Sequence, residues 1–346
     1  MFHRKLPFTL LAIGAAVGST VALSLPASAS QASTSQASTS QVAVRTTAAT
    51  YTLETLPTSM TWFYNQIKNA KTSIDLTMYE LQDTTAEDDL GAAAGRGVDV
   101  RVILDEKEQS ENQSAYNYLT SHGVSVVWSV SKYYYTHEKS MVVDGATADI
   151  MTLNLQSQYY STTRDFGVVD TNAKDVSAIT KVFNADYAHS SVTPGAGADL
   201  VWSPTTAQAK LTGLINNATT SLQVYSEEMD DTTVTNDLVA AAKRGVKVQV
   251  VGENEDGEYD SEYTTLHAAG VQISYYSSST GFYIHGKVIM ADYSTSANKI
   301  FIGSQNFSNT SLTENRELGL IISNTTIESA VNSDFSKDFA GGTRWT

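Results

Sequence analysis

The 346-residue sequence contains no cysteine and comparatively few basic residues. Without cysteine, the protein can form no disulfide and can use no thiol chemistry. There are 22 lysines and arginines against 37 acidic residues, so the formal net charge is −15. Tight binding to nucleic acid comes largely from basic residues that neutralise phosphates. The charge balance therefore argues against a stable nucleic-acid partner, although it leaves room for a small basic pocket.

A membrane-spanning segment is also lacking once the N-terminal region is set aside. That region has a basic start at residues 3–5, an apolar stretch over residues 8–25 and small residues around Ala29. This pattern predicts a signal peptide over residues 1–29, cleaved near Ala29, and hence a secreted protein. An uncleaved membrane anchor is the alternative. Residues 30–50 include the repeat QASTSQASTS and predict a low-complexity, flexible linker.

The folded body is expected to begin near residue 51, where helical and strand-like patterns start to alternate. The patterns predict helices over residues 59–70, 83–96 and 110–121, and strands over residues 73–79, 98–104 and 124–128. This β-α-β-α-β order indicates an α/β fold with a mostly parallel mixed sheet that is flanked by helices.

The chain also contains an internal duplication. Residues 220–251 follow the same scheme as residues 72–103, at a constant offset of 148 positions. A repeat of this length indicates two similar lobes rather than a solenoid. We expect a first lobe over residues 51–195 and a second lobe over residues 196–346, related by a pseudo-twofold axis.

A short polar pattern, H-x-K-x4-D, occurs twice at the same offset. Its six residues are His137, Lys139, Asp144, His285, Lys287 and Asp292. On a strand, residues two apart project from the same face, so each His and its Lys should point together into a shared cleft. One such pattern can be incidental, but two copies in register with a duplication indicate a functional site.

The doubled motif resembles that of the phospholipase D superfamily, whose members assemble one active site between two lobes. The resemblance covers about residues 51–340. It implies a Gly-Ser-x-Asn element and then an acidic residue after each motif. The second lobe supplies Ser304, Asn306 and Glu317 at these positions, after Gly303. The first lobe supplies Thr152, Asn154 and Asp165 but lacks the glycine.

These residues suit phosphodiester chemistry that needs no metal or cofactor. Two lysines and the amides of Asn154 and Asn306 can stabilise the developing negative charge. One histidine can attack phosphorus while the other protonates the departing alcohol. The resemblance implies that His137 is the nucleophile.

Further residues receive supporting roles from the resemblance. It implies that Asp165 and Glu317 orient the imidazoles. Asp144 and Asp292 count among the catalytic residues as members of the motif, but the resemblance implies that they act structurally or support neighbouring site residues rather than attack phosphorus. The hydroxyls of Thr152 and Ser304 are candidates for binding the phosphate.

The leading hypothesis is a secreted, monomeric phospholipase D that acts on phospholipid at a membrane or micelle surface, with transfer to another alcohol as a further option. An extracellular phosphodiesterase acting on nucleic acid is the alternative from the same superfamily. A non-catalytic binding protein on a decayed scaffold is a third interpretation, which two intact motifs disfavour. The aromatic stretches at residues 133–135 and 282–283 are either an apolar rim or ordinary packing, and the acidic run 253–258 is expected to be a solvated loop.

Overall fold

A computed structural model describes residues 51–346, and the predicted signal peptide and linker lie outside the described residues. The first half contains the strands β1 (Tyr51–Leu56), β2 (Ser73–Met78), β3 (Asp99–Leu104), β4 (Ser125–Trp128), β5 (Ser140–Val143), β6 (Thr147–Met151) and β7 (Thr163–Asp170). Its helices are α1 (Thr61–Asn69), α2 (Thr84–Gly95), α3 (Gln109–Ser121) and α4 (Ala173–Tyr187). The three predicted helices and three predicted strands are thus confirmed, with small shifts at their ends.

The second half repeats this order. Its strands are β8 (Leu200–Ser203), β9 (Ser221–Ser226), β10 (Lys247–Glu253), β11 (Gln272–Tyr276), β12 (Tyr283–Ile284), β13 (Val288–Ala291), β14 (Lys299–Gly303), β15 (Glu317–Ile322) and β16 (Thr343–Arg344). Its helices are α5 (Ala207–Asn217), α6 (Thr232–Lys243), α7 (Asp260–Ala268), α8 (Asn309–Thr313) and α9 (Thr325–Gly341). Within residues 51–346, no helix has the length and apolar character needed to cross a bilayer.

Matching cap residues begin the equivalent helices α2 and α6. The carboxylate of Asp83 accepts hydrogen bonds from the backbone N–H groups of Thr85 and Ala86. Asp231, 148 residues later, accepts one from Val234 N–H. Such caps satisfy N–H groups that have no partner within the helix, so the duplicated aspartates fix where each helix starts.

Each half forms one mixed sheet, but the expectation of a mostly parallel sheet is wrong. The first sheet has the order β1-β7-β6-β5-β2-β3-β4, and the second has the order β16-β11-β10-β9-β13-β14-β15-β8. Among the neighbouring strands in these orders, the first sheet has two parallel pairs, β2–β3 and β3–β4. The second sheet has the equivalent two, β9–β10 and β10–β11, and the remaining neighbours are antiparallel. In these orders, the strands after β4 and β11 are added antiparallel, and short turns join β5 to β6 and β13 to β14 as hairpins.

The first hairpin explains a change in the offset between the halves. Asp144 and Gly145 have φ values of 54° and 59°, which suits a tight turn between β5 and β6. In the second half the connection between β13 and β14 is longer and runs from Asp292 to Asn298. Equivalent residues are therefore 148 positions apart before this turn and 152 positions apart after it.

Three apolar cores hold the molecule together. One lies on the outer side of each sheet, and the third is shared, with residues such as Phe166 and Val168 from β7 packed with Tyr225 and Ile302 from the second sheet. Because the shared core takes side chains from both sheets, neither half buries its inner face alone. The shared core brings the two inner faces together and so positions the site between them.

Candidate active site

Each histidine of the doubled motif is held against the opposite half of the molecule by backbone pairing. Strand β12, just before His285, runs parallel to β7, and Tyr283 pairs with Thr163. The equivalent segment before His137 forms an isolated bridge between Thr136 and Arg316, at the start of β15. We call β7, which contains Asp165, and β15, which begins with Glu317, the acid-bearing strands. The two crossed pairings place each histidine beside the acid-bearing strand of the other lobe.

The crossed pairing gives each imidazole a carboxylate from the other lobe. Nδ1 of His137 lies 3.0 Å from Oε2 of Glu317, and Nδ1 of His285 lies 2.8 Å from Oδ1 of Asp165. All four side chains are buried or nearly so. A carboxylate at Nδ1 fixes the ring orientation and leaves Nε2 for chemistry. The sequence indicated these acids but not that each serves the histidine of the opposite lobe.

The two motif lysines are fully buried beside their histidines. Nζ of Lys139 donates to the backbone carbonyl of His137 at 2.8 Å, and Nζ of Lys287 donates to that of His285 at 2.6 Å. Each Lys side chain thereby turns back along its own strand toward the histidine. The charges of Lys139, Lys287 and His285 all act on His137, so the two His–Lys pairs lie near one another.

The charges around His137 favour its neutral form. Burial lowers the pKa of His137 well below its usual range, and the neighbouring ammonium groups of Lys139 and Lys287 lower it further. Burial and the charge of Lys287 also lower the pKa of Lys139, to about 7. Burial raises the pKa of Glu317 to about 7 and outweighs the opposing effect of Lys139. A neutral imidazole is the form that can act as a nucleophile.

The second histidine is surrounded by carboxylates. Burial alone would raise the pKa of Asp165, but the charges and hydrogen bonds of His285 outweigh it and lower that pKa. On the other side of the ring, Oε2 of Glu227 lies 3.5 Å from Nε2 of His285. The same oxygen lies 2.6 Å from Nζ of Lys287. His285 thus has carboxylate oxygens near both ring nitrogens, which suits a residue that carries and releases a proton.

Glu227 is a candidate functional residue that the sequence reasoning missed. Its equivalent in the first lobe is Tyr79, whose ring centroid lies 4.6 Å from that of His137 and 4.8 Å from Nζ of Lys139. Both residues directly follow the central strand of their sheet. The two copies of the repeat differ here in charge, and that mismatch was the available signal.

The predicted asparagines lie in the same region, and each has a buried amide oxygen without a partner among the described residues. Nδ2 of Asn154 lies 3.3 Å from Oε2 of Glu80, and the side chain of Asn306 is almost completely buried. An unpaired polar atom inside a protein costs free energy unless a ligand satisfies it. This placement is compatible with the predicted contact to substrate.

The hydroxyls of Thr152 and Ser304, the candidates for binding the phosphate, form hydrogen bonds with protein groups. Thr152 donates to Oδ1 of Asp165 at 2.6 Å and accepts from Phe166 N–H at 2.9 Å. Ser304 accepts from Leu318 N–H at 3.2 Å. Both residues are fully buried, so in this structure their hydroxyls brace the acid-bearing strands.

The motif aspartates lie away from the histidines. Each follows β5 or β13, five residues beyond its lysine, which is roughly 16 Å along an extended strand. The carboxylate of Asp144 accepts from the backbone N–H groups of residues 71–73, and that of Asp292 accepts from those of residues 219–221. Both carboxylates therefore fasten the start of the central strand, which fits a structural role and not a direct part in the reaction.

Only part of the aromatic stretches at residues 133–135 and 282–283 could form an apolar rim around the site. Within residues 51–346, Tyr134 is the large apolar side chain that is exposed, at 49%. Tyr133 is buried and packs on Arg316, whose guanidinium carbon lies 4.3 Å from the ring centroid. Glu253, in the acidic run, accepts a hydrogen bond from Ile284 N–H at 2.9 Å and supports the segment before His285. The expectation that this run is only a solvated loop is therefore wrong for Glu253.

Two crossed ion pairs join the lobes behind the site. The guanidinium of Arg164 contacts Asp338 in α9, with Nε 2.6 Å from Oδ2. Its equivalent Arg316 contacts Asp186 in α4, with Nε 2.8 Å from Oδ2. Each arginine directly precedes one of the acids that hold a histidine, so these pairs anchor the acid-bearing strands. No group of three or more potential metal ligands occurs in the described part of the chain.

Comparisons with known proteins match both halves. A family model described as "Cardiolipin synthase, PLD-like domain" matches residues 63–187 and 211–339, which are most of the chain. Probable cardiolipin synthase YwiE of Bacillus subtilis (strain 168) is 29% identical over 134 residues, 37% of this chain and 26% of that protein. The chain thus spans about a quarter of the length of this curated relative.

Solved structures share the fold at low identity. Polyphosphate kinase from Porphyromonas gingivalis superposes with a TM-score of 0.65 at 14% identity, over 83% of this chain and 50% of that one. Phosphatidylserine synthase from Haemophilus influenzae Rd KW20 superposes with a TM-score of 0.62 at 12% identity, over 85% of this chain and 87% of that one. At such identities the similarity concerns the fold alone.

Proposed function

Because the chain belongs to the phospholipase D-like family, we propose that it is a secreted phospholipase D, which hydrolyses phospholipid to phosphatidate and a free head-group alcohol. One observation carries the proposal. Two imidazoles, each held at Nδ1 by a carboxylate of the opposite lobe, share a buried site with two lysines. A phosphodiester in this site would meet two Nε2 atoms and two ammonium groups, and it would compete with Glu227 for Lys287.

In the first step, Nε2 of His137 attacks phosphorus and the bond to the head-group oxygen breaks. Nε2 of His285 donates its proton to that oxygen, so the head group leaves as a neutral alcohol. The negative charge that gathers on the phosphoryl oxygens is stabilised by Lys139 and Lys287. The lowered pKa of His137 supports this assignment, because the ring is neutral and ready to attack at physiological pH.

In the second step, water attacks the phosphohistidine from the side of His285. Nε2 of His285 accepts a proton from water, the new O–P bond forms and the bond from P to Nε2 of His137 breaks. The products are phosphatidate and the free enzyme, with His285 protonated again. An alcohol in place of water would give transfer of the phosphatidyl group.

Trapping of the intermediate tests the mechanism. In His285→Ala, a diester with a p-nitrophenol leaving group needs no general acid, so the first step should proceed while the second lacks its base. Rapid quenching and mass spectrometry should then find a phosphoryl adduct on His137. An adduct on His285 in His137→Ala, with none in His285→Ala, would reverse the two roles.

The substrate class requires a second assay. Head-group release from phosphatidylcholine vesicles should be compared with nicking of plasmid DNA, both in the presence of a chelator. We expect release without nicking, because the net charge of −15 disfavours a polyanionic substrate. Nicking without release would favour the nuclease alternative. The absence of both activities would favour a non-catalytic binding protein.

Secretion is part of the proposal. N-terminal sequencing of protein from the culture medium should find cleavage near Ala29.

A further inference from the structure

The two halves of the site differ most at Glu227. Its Oε2 lies beside Nε2 of His285, the nitrogen that remains once Asp165 has taken Nδ1. The phenol of Tyr283 donates a hydrogen bond to its Oε1 and so holds the carboxylate in place. At the equivalent position of the first lobe, Tyr79 packs the edge of its ring against His137. The second lobe therefore has a carboxylate oxygen at a position that the first lobe fills with an aromatic ring.

We propose that Glu227 positions the attacking molecule in the second step and favours water over a monohydric alcohol. The inference rests on the proposed two-step function. Water has two O–H groups, so it can donate one to His285 and the other to Glu227. A monohydric alcohol has a single O–H group, and its carbon substituent would face the carboxylate. Glu227 thus favours hydrolysis of the phosphohistidine intermediate over transfer of the phosphatidyl group to an alcohol.

The step balances as follows. The water oxygen forms a bond to phosphorus, and the bond from phosphorus to Nε2 of His137 breaks. One water proton passes to Nε2 of His285. The other stays on the oxygen, where it is donated to Oε2 of Glu227 during attack and remains on the phosphatidate product. Glu227 itself neither gains nor loses a proton, so it acts as a positioning residue.

The geometry permits one water to reach both acceptors. Two acceptors bound by the two O–H groups of one water lie about 4.4 Å apart when each hydrogen bond has its usual length of about 2.8 Å. Here Oε2 and Nε2 are 3.5 Å apart, with Oε2 also paired to Lys287. An incoming phosphate competes for the ammonium group of Lys287. Loss of that pair lets Oε2 move by the remaining distance of roughly 1 Å, by rotation of the carboxylate about the Oε1 that Tyr283 holds.

The charge of Glu227 is suited to this role. Burial alone would raise its pKa, but the charges of His285 and Lys287 outweigh burial and hold the pKa well below its usual range. The side chain is therefore an ionised acceptor in the free enzyme. A charged acceptor forms a stronger hydrogen bond than a neutral one.

The test measures how one common intermediate partitions. Phosphatidylcholine vesicles are incubated with the full-length protein and a fixed concentration of ethanol, and phosphatidate and phosphatidylethanol are quantified together. Because both products arise from the same phosphohistidine, their ratio is independent of how much enzyme is folded. In Glu227→Gln, the ratio of phosphatidate to phosphatidylethanol should fall about five-fold, since a charged hydrogen bond becomes a neutral one.

Two further variants sharpen the result. Tyr283→Phe removes the group that holds Glu227 and should lower the ratio by about two-fold. Glu258→Gln makes the same charge change at an exposed position of the same lobe and should leave the ratio unchanged. A ratio that is the same in wild type, Glu227→Gln and Tyr283→Phe overturns the inference while both products still support the function. Wild type that forms neither product overturns the proposed function, and the inference with it.

Discussion

Replacement of Asp292 by asparagine separates a structural role from a catalytic one. The doubled motif counts this aspartate with the histidine and lysine, whereas the structure places its carboxylate on the backbone before β9. Oδ1 and Oδ2 together accept from three backbone N–H groups and from the hydroxyls of Thr219 and Thr220, at 2.6 to 3.2 Å. Asparagine keeps the shape and tolerates the φ of 54° found here, so the substitution removes the charge and replaces one acceptor oxygen by an NH2 group that can donate to the Thr219 hydroxyl.

The size of the effect follows from the pKa of Asp292. Burial alone would raise it, but the hydrogen bonds from Thr220, Thr219 and Ser221 lower it from 3.8 to about 2. A difference of this size corresponds to roughly 2.5 kcal/mol of stability. Asp292 is buried, but its partners Thr219 and Thr220 are exposed, so solvent screening reduces this to about 1–2 kcal/mol. Asp292→Asn should therefore lower the melting temperature by several degrees, at roughly 2–4 °C per kcal/mol.

The pH dependence gives a second check with a definite sign. The folded pKa of Asp292 lies below the unfolded one, so its stabilisation is complete above the unfolded value of about 4. It is lost as the pH falls toward about 2. Calorimetry should thus show a gap between wild type and Asp292→Asn at pH 7 that closes in acid. The equivalent Asp144 lacks one of the two hydroxyl donors, because Lys71 stands where the second lobe has Thr219. Asp144→Asn should therefore cost less.

Activity decides between the two roles. Measured well below its melting temperature, Asp292→Asn should keep a kcat within a few-fold of wild type. A loss of roughly 100-fold or more with an unchanged melting temperature would refute the reasoning, since it would mean that the carboxylate acts on the reacting groups.

Other consequences of the site can be measured on the same assay. Lys139→Ala and Lys287→Ala should each lower kcat by roughly 100-fold or more, because each removes a cation aimed at the developing negative charge. Lys132→Ala is the control and should have little effect. Equal losses at all three positions would indicate general destabilisation. Because the pKa of Lys139 is about 7, kcat/KM should fall as the pH rises above that value. Lys139→Arg should move this fall to higher pH, because arginine stays charged. A fall that stays at the same pH would mean that another group causes it. Activity should persist in EDTA, because the two lysines supply the positive charge; inhibition that one divalent ion reverses would contradict this.

Much of the fold could be predicted because the relevant signals are local. The cap at Asp83 and the alternation of residues 73–104 depend on neighbours in the sequence, and the structure confirms the elements that they predict. The antiparallel half of each sheet could not be predicted in the same way. Strands such as β5 and β6 are four and five residues long, and their pairing depends on a turn at Asp144 and Gly145 that was not recognised.

In the site, too, local features could be predicted from the sequence and contacts between the lobes could not. The spacing of His137 and Lys139 on one face is a local property and was predicted. The partner of each imidazole depends on how two lobes dock, and no periodicity within one lobe encodes that Glu317 contacts His137. Glu227 could not be found from the residues that the two copies of the repeat share, because the first copy has Tyr79 at this position. The difference between Tyr79 and Glu227 was visible in the sequence, but its meaning depends on the distance of 3.5 Å to His285.

The crossed contacts also mean that neither half contains a complete candidate site by itself. A first lobe alone would leave His137 without Glu317, and a second lobe alone would leave His285 without Asp165. Either lobe alone would also expose the core that both share, which makes separate folding unfavourable. Once the halves are joined, the duplicated pairs are nearly equivalent, and a reaction with one nucleophile and one acid needs them to differ. Tyr79 beside His137 and Glu227 beside His285 supply that difference, through one substitution at matching ends of β2 and β9.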